Sequence, residues 1–95
     1  MKKVVINNIN YELIEDNKEG YDQTEVESKL TDYFEPYTYI VGDWAYGKLR
    51  LKGFYDKNDS RCNKTNNIDD LKKYLENNCA YGCRYFELKK VIEKK

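Results

Sequence analysis

Histidine is absent from this chain of 95 residues, while proline, methionine and tryptophan each occur once. The chain therefore lacks the commonest general base and the commonest metal ligand. No Ser-His or Cys-His hydrolase can be built from it, and a zinc site would need all three cysteines and a carboxylate. We predict no catalytic residues, no metal site and no cofactor.

Long apolar runs are also missing, because no stretch approaches the roughly 18 residues that a membrane-spanning helix needs. Met1-Lys2-Lys3 resembles the start of a secretion signal, but the segment after it turns polar too early to continue one. The odd count of three cysteines argues against a secreted disulfide framework. We expect a cytoplasmic protein that forms a single domain over residues 1–95 and has no membrane partner.

The net charge is zero, but the charges are distributed unevenly along the chain. Residues 1–47 carry ten acidic residues against four lysines, whereas residues 48–95 carry thirteen basic residues against seven acidic ones. The two halves either attract each other or form separate acidic and basic surfaces, and the sequence leaves both arrangements open.

The first half of the chain predicts two strands followed by a helix. Residues 3–15 have strand composition, and Asn7-Asn8 between the two strands tolerates the positive φ of a tight turn. The helix begins at Asp22 or Thr24. It ends before Pro36, because the residue that precedes a proline is disfavoured in the α region.

The second half predicts a hairpin, a loop, a helix and a last strand. Asn67 is the predicted N-cap of this second helix. The hairpin has strands at 37–41 and 48–55 with its turn inside 42–47, the loop covers 56–67, and the last strand covers 84–92.

The resulting order ββαββαβ predicts an α+β fold, with an antiparallel sheet and two helices packed on one face. Without the first strand the order is βαββαβ, which is also the order of ferredoxin-like domains. A ferredoxin-like arrangement is therefore possible, and the order of the strands within the sheet is not predicted.

The segment KLRLKGFY places Leu49 and Leu51 on one side of a strand and a row of cations on the other. If helices cover the leucines, this row lies on an open face, and cations beside aromatic side chains are typical of sheets that bind RNA. The ordinary alternative is a solvated strand face whose cations pair with the acidic first half. The predicted binding residues in and around this strand are Asp43, Trp44, Tyr46, Lys48, Arg50, Lys52 and Phe54.

Two further features have competing interpretations. Trp44 either folds back onto the core, which we favour, or lies on a binding surface. Cys79 and Cys83 are separated by three residues, which does not match a redox or zinc-ribbon spacing. Buried structural thiols are therefore the preferred interpretation of this pair, with thiol or metal chemistry as the alternative.

Two blocks of sequence, YIVGDWAYGKLRLKGFY at 39–55 and YLENNCAYGCRYFELKK at 74–90, resemble the signature blocks of the YutD-like family. This resemblance implies a small cytoplasmic protein of low-GC Gram-positive bacteria, in a family with no established activity, so it transfers no catalytic residues to this chain. It also implies that the following residues belong to the family pattern: Gly42, Asp43, Trp44, Tyr46, Gly47, Leu49, Arg50, Lys52, Gly53, Phe54, Cys79, Gly82, Cys83, Tyr85 and Phe86.

We predict a small non-enzymatic binding or regulatory module that recognises RNA or another polyanion through an open basic and aromatic sheet face. The first alternative is an adaptor that binds a protein partner through Trp44 and Arg50, since these residue types dominate interface energetics. The second is a thiol or metal protein that uses Cys79 and Cys83.

Overall fold

The computed structural model describes residues 2–78 and 84–91. Its elements follow the predicted order ββαββαβ, with two single turns of 3₁₀ helix at Asp32–Phe34 and Ile68–Asp70. The strands and helices are β1 (Lys2–Ile6), β2 (Ile9–Asn17), α1 (Gln23–Lys29), β3 (Tyr39–Ala45), β4 (Lys48–Phe54), α2 (Leu71–Asn78) and β5 (Tyr85–Lys90).

The five strands form one antiparallel sheet in the order β1-β2-β5-β3-β4. The α+β class and the antiparallel sheet are therefore confirmed. A ferredoxin-like arrangement is not adopted, because it would leave the last strand at an edge of the sheet. Here β5 lies between β2 and β3, where Phe86 and Leu88 become fully buried.

One face of the sheet, which we call the core face, carries the main hydrophobic core. Ile40, Leu49 and Phe86 of three neighbouring strands lie on it, and Val26 of α1 packs over them without exposure to solvent. Successive side chains of a strand point to opposite faces. Asp43 of β3 therefore points away from the core, to the opposite face of the sheet, which we call the second face.

The two helices do not share a face, which corrects the prediction that both would cover one side of the sheet. α1 lies on the core face, whereas Tyr74 of α2 contacts Phe54 edge to face, with ring centroids 5.6 Å apart. Phe54 belongs to the second face. The alternation in β4 predicts a polar second face. Phe54 of β4 and Val41 of β3 also point to this face, yet each is only 1% exposed, so part of the second face is buried as well.

α1 begins as predicted and ends earlier than predicted. The Asp22 carboxylate accepts a hydrogen bond from the Glu25 N–H at 3.2 Å, as expected of an N-cap. The helix ends at Lys29, well before Pro36, because Leu30 turns to an extended conformation while its side chain stays in the core. The Leu30 carbonyl accepts a hydrogen bond from the Asn7 side chain at 2.9 Å, so the helix end is satisfied by the β1–β2 turn.

Candidate functional site

The β3–β4 hairpin turns over Tyr46 and Gly47, two residues with φ of 54° and 74°. Positive φ at both central positions is typical of the two-residue turn that matches the twist of antiparallel strands. β3 therefore continues to Ala45. Asp43 and Trp44 belong to this strand, and the prediction that they lie in the turn is wrong. The Tyr46 side chain is fully exposed at the tip of the hairpin.

Asp43 and Arg50 form an ion pair across the two strands on the second face. Arg50 Nε and Nη2 donate to the two carboxylate oxygens at 2.9 and 3.1 Å, although Asp43 is only 1% exposed. The hydrogen bond to Asp43 and then the charge of Asp43 raise the pKa of Arg50. The charge of Arg50 therefore compensates a buried carboxylate, which the sequence did not predict.

Trp44 lies on the core face, away from Asp43 and Arg50, and packs against the core cluster. Its indole Nε1 donates to the Gly20 carbonyl at 2.7 Å, and the Arg84 guanidinium lies 4.6 Å from its ring centroid. The preferred interpretation, in which Trp44 folds back onto the core, is confirmed.

Phe54 and Lys52 lie on the second face beneath Tyr74. The Lys52 ammonium is 5.3 Å from the centre of the Phe54 ring and 5.7 Å from that of Tyr74. Because Phe54 is 1% exposed, its ring is not available to stack on a base from solution. The exposed aromatic ring that the prediction placed at this position is instead a buried anchor for α2.

The seven predicted binding residues are thus divided among three places. Tyr46 is at the hairpin tip and Trp44 is on the core face. The other five share the second face of β3 and β4, where two are buried and three are cations: Asp43, Phe54, Lys48, Arg50 and Lys52.

β4 is an edge strand, and part of its backbone points away from the sheet. The Trp44 N–H donates to the Arg84 carbonyl at 3.1 Å, towards β5, so Trp44 and its partner Leu49 are not hydrogen-bonded to each other. By the same alternation, Leu51 and Gly53 also direct their N–H and C=O groups outwards. No other described segment hydrogen-bonds to these groups, and a new backbone contact begins only at Tyr55, which bonds to residues 66 and 68.

The opposite edge of the sheet, formed by β1, differs from the β4 edge in its backbone contacts. β1 carries Lys2 and Lys3 and β4 carries Lys48 and Lys52, so the difference between the two edges lies in the backbone and not in the charges. The outward-facing carbonyl of Val5 is capped by the Gln23 side chain, which donates to it at 2.8 Å. Among the described residues, the β1 edge therefore has a capped carbonyl at Val5, whereas the outward-facing groups of Leu49, Leu51 and Gly53 on β4 have no hydrogen-bond partner.

A groove of about 550 Å³ runs beside the open edge of β4. Its floor is the strand itself, and aromatic residues of the 3₁₀ turn and the following segment form one wall. Tyr37 approaches so closely that a Cβ at Gly53 would lie 2.3 Å from its ring, so a larger residue there would require the ring to shift. The lining residues are Tyr33, Phe34, Tyr37, Arg50, Leu51, Lys52, Gly53, Asn63, Thr65, Asn66 and Tyr74.

A second depression of about 400 Å³ adjoins the groove and shares Lys52, Thr65 and Tyr74 with it. Two further lysines, Lys64 and Lys73, line it together with Asp70. Within the described residues, none of its three lysines forms an ion pair. The surface around β4 is therefore cationic, which agrees with the excess of basic residues in the second half of the chain.

No pattern in the sequence indicated the aromatic wall or the two additional lysines. Tyr33 and Tyr37 come from the segment before β3, and Lys64 and Lys73 come from the long loop and α2. The loop folds back on itself through short hydrogen bonds, such as those from Thr65 to the Asn63 side chain at 2.7 and 2.8 Å. Only the three-dimensional fold brings these residues to β4.

Thiol chemistry gains no support from the described part of the chain. Cys79 and Cys83 lie outside the described residues. Cys62 is half-buried in the long loop, and its pKa is raised by desolvation and then by nearby carboxylates, Asp59 first among them. A raised pKa leaves less of the thiolate, which is the nucleophilic form of cysteine.

Metal-binding clusters and membrane-spanning helices are both missing from the described residues. Residues 2–78 and 84–91 contain no cluster of three acidic or cysteine side chains placed to hold a metal ion. In the same part of the chain no helix has both the length and the apolar character to cross a membrane.

The fold and the site define a small α+β domain whose β4 edge is cationic and, within the described part of the chain, carries outward-facing backbone groups without a partner. The chain belongs to the YutD-like family, since the family model described as "Putative antitoxin YutD-like" matches residues 5–89. It is 38% identical over 88 residues to "Putative antitoxin YutD" of Bacillus subtilis (strain 168), covering 93% of this chain and 97% of the relative. The solution NMR structure of protein yutD from B. subtilis is similar, with a TM-score of 0.80 and 35% identity, over 100% of this chain and 86% of that one.

Proposed function

We propose that this protein is a non-enzymatic binding module that holds a protein partner by adding one of the partner's strands to the edge of β4. The observation that carries the proposal is the outward-facing backbone of Leu49, Leu51 and Gly53. Strand addition to an exposed sheet edge is a common mode of peptide recognition, in which backbone hydrogen bonds supply affinity and side-chain pockets supply specificity.

The surroundings of the β4 edge support its use as a binding site and argue against an edge that is exposed without a function. Natural sheets usually protect long edges from pairing with other chains, and β1 of this sheet is protected by Gln23. The β4 edge instead opens into a groove with an aromatic wall. The word antitoxin in the names of the family and of the Bacillus relative supports a role that is exerted by binding another molecule.

The test is a pair of proline variants at outward-facing positions of the two edges. Leu51→Pro removes an N–H that points away from β3, so it blocks an added strand while leaving the β3–β4 ladder intact. Val5→Pro makes the matched change on β1, where the side chain is 56% exposed. We expect proteins captured from the native host by the wild-type chain to remain bound to the Val5→Pro variant and to be lost with Leu51→Pro.

Folding of both variants is checked by circular dichroism and by the dispersion of their NMR spectra. If Leu51→Pro does not fold, amide hydrogen exchange of the wild-type chain with the captured partner replaces it. Binding should then slow exchange at Leu49, Leu51 and Gly53. A partner that binds Leu51→Pro as well as wild type, or that leaves these amides unprotected, contradicts the proposal.

RNA or another polyanion is the second candidate ligand, and the lysine-lined depression favours it. Lys52, Lys64 and Lys73 line this depression together with Tyr74, and the Lys52 ammonium lies 5.7 Å from the centre of the Tyr74 ring. Binding of mixed-sequence single-stranded RNA should then weaken with salt, with a log–log slope of about −0.7 for each phosphate contact. The Lys64→Ala/Lys73→Ala variant should lose this binding.

A lysine pair outside the depression supplies the control for that experiment. Lys57 and Lys72 are exposed and do not line it, so Lys57→Ala/Lys72→Ala removes the same charge elsewhere. Equal loss of RNA affinity in both double variants would indicate nonspecific attraction and not a site. Binding of a protein partner that survives ribonuclease and high salt would favour the first candidate.

A further inference from the structure

Cations occupy one side of the open β4 edge. Lys48 is exposed at the start of the strand, and Arg50 and Lys52 follow on the same face. Arg50 compensates Asp43, yet its side chain is 47% exposed and lines the groove. A strand added to this edge would therefore have every second side chain beside a positive charge.

Few acidic residues balance these cations. The groove beside β4 has no acidic lining residue among those described, and the adjoining depression has only Asp70 against three lysines. The nearest carboxylate on β3, Asp43, is already bonded to Arg50. An incoming acidic side chain would consequently meet an excess of positive charge at this edge.

The other side of the edge is apolar and aromatic. Leu51 is half-buried there, and Tyr37 covers Gly53. Tyr33 is 67% exposed at the outer end of the same wall and contacts Phe34 edge to face. The alternate side chains of an added strand would lie against this wall, where apolar residues gain the most from burial.

These two sides together specify a pattern. We propose that the partner segment held by β4 is an extended strand that alternates acidic and apolar residues, with the acids beside Lys48, Arg50 and Lys52. This inference rests on the proposed strand addition and names the chemistry of the segment that is added.

A second copy of this chain does not fit the edge. Pairing of β4 with another β4 would set two rows of cations beside each other, and like charges on neighbouring strands are destabilising. The β1 edge carries Lys2 and Lys3 and is capped by Gln23, so it offers no better match. The segment therefore belongs to a different protein.

The experiment uses the full chain and four short synthetic peptides as probes. One alternates glutamate and valine, one alternates threonine and valine, one alternates lysine and valine, and one has glutamate and valine in two separate blocks. Affinities come from NMR titration, and amide exchange at Leu49, Leu51 and Gly53 reports strand addition. We expect the alternating acidic peptide to bind about tenfold more tightly than the neutral one at low salt, as two or three cross-strand ion pairs would produce.

Charge reversal supplies the decisive comparison. Lys48→Glu/Lys52→Glu should bind the lysine peptide in preference to the acidic one, whereas Lys57→Glu/Lys72→Glu should keep the wild-type order. Because Lys52 contacts the buried Phe54 ring, Lys48→Glu alone serves if the double variant does not fold, with a smaller shift in the same direction.

The outcomes separate this inference from the proposed function. Equal protection of the edge amides by the acidic and neutral alternating peptides would overturn the acidic pattern and leave strand addition standing. Equal binding of the block peptide and the alternating acidic peptide would also overturn the pattern. If none of the peptides protects Leu49, Leu51 and Gly53, and Leu51→Pro retains the natural partner, both proposals fail. Self-association of the chain, seen as concentration-dependent protection without peptide, would overturn the assignment to a different protein.

Discussion

Asp43 and Arg50 lie directly opposite each other on β3 and β4 and share two hydrogen bonds, although one is buried and the other is half exposed. A buried carboxylate is costly unless it is paired and hydrogen-bonded. Arg50 satisfies this requirement and at the same time borders the groove at the sheet edge. Arg50 therefore contributes both to the stability of the hairpin and to the positive charge of the proposed binding surface.

The asymmetric exposure of this pair predicts unequal effects of its two mutations. Arg50→Ala leaves the Asp43 carboxylate buried without its partner, and we expect a loss of about 1–3 kcal/mol in the free energy of unfolding, reduced from the range for fully buried pairs because Arg50 is 47% exposed. Asp43→Asn should cost less, since Arg50 can turn to solvent. Urea unfolding of the two variants provides the measurement.

The Asp59–Arg61 pair is the control for this comparison. It has similar geometry, with Arg61 Nη2 2.8 Å from the Asp59 carboxylate, but lies in the exposed loop. We expect Arg61→Ala to lower the unfolding midpoint less than Arg50→Ala does, because Asp59 is 19% exposed and keeps contact with solvent whereas Asp43 is 1% exposed. If Asp43→Asn proves as costly as Arg50→Ala, burial of the unpaired carboxylate is not the main cause of the lost stability.

Local signals were sufficient to predict the elements of this fold. Asn7 and Asn8 form the tight turn with φ of 51° and 69°, and Asp22 caps α1 as predicted. Asn67 caps the 3₁₀ turn Ile68–Asp70 that leads into α2, so the predicted cap is correct but the α-helix begins three residues later. Each of these features depends on a few neighbouring residues, whose conformational preferences are visible in sequence. The central position of β5 depends on contacts between strands far apart in the chain, so the element order alone did not predict it.

The candidate site shows the same division between local and distant causes. The alternation in β4 correctly put Lys48, Arg50 and Lys52 on one face. Gly42 and Gly47 together predict a turn that includes Trp44, whereas only Gly47 has a positive φ among the described glycines. Once β3 extends to Ala45, alternation sends Trp44 to the core face.

The role of Gly42 is close packing against β5, and this predicts a strong effect of an added methyl group. A Cβ at Gly42 would lie 2.2 Å from the Phe86 ring, which is fully buried and cannot move aside. We expect Gly42→Ala to cost about 1–3 kcal/mol, the usual range for overpacking. Gly53→Ala should cost less, because Tyr37 is only half-buried whereas Phe86 has no exposure to solvent. Equal losses in chemical denaturation would show that Phe86 has room to adjust.

The indole of Trp44 acts as a hydrogen-bond donor inside the structure. Trp44→Phe keeps a ring against the core but removes the donor to the Gly20 carbonyl, which lies on a buried residue. We expect a loss of about 1–2 kcal/mol, the cost of leaving such a carbonyl unsatisfied together with some packing. Tyr46→Phe at the exposed hairpin tip is the control and should leave the unfolding midpoint where it is. Intact stability in Trp44→Phe would mean that water replaces the indole.

Raised tyrosine pKa values predict unfolding at alkaline pH. Burial, followed by the charges of Glu27 and Asp22, raises the pKa of Tyr21 to about 12. Burial, followed by its hydrogen bond to Glu15, raises the pKa of Tyr85 to about 12 as well. Because the folded state holds these protons more tightly, their contribution to stability is present below about pH 10 and is lost as the pH rises through about 12.

Absorbance of ionised tyrosine provides the measurement for alkaline unfolding. The late part of the titration should coincide with loss of the circular dichroism signal, since these hydroxyls ionise only as the chain unfolds. Tyr85→Phe should remove part of the late phase. A titration completed while the fold persists would contradict the assignment of burial as the main cause.

Glu87 predicts a second dependence on pH, in the acidic range. It lies opposite Glu15 across β2 and β5, and its pKa is raised first by burial and then by the charge of Glu15. The folded state therefore favours the protonated form, so the free energy of unfolding should fall as the pH rises from the ordinary glutamate range through the raised pKa. Glu87→Gln has no carboxyl proton to lose at this position. Its free energy of unfolding should therefore vary less with pH and exceed that of wild type near neutrality.

Urea unfolding of both proteins from about pH 4 to about pH 8, a range that spans the glutamate titration, measures this difference. Parallel curves for the two proteins would mean that Glu87 is solvated in the folded state, and the strain between the two carboxylates at the centre of the sheet would then be absent.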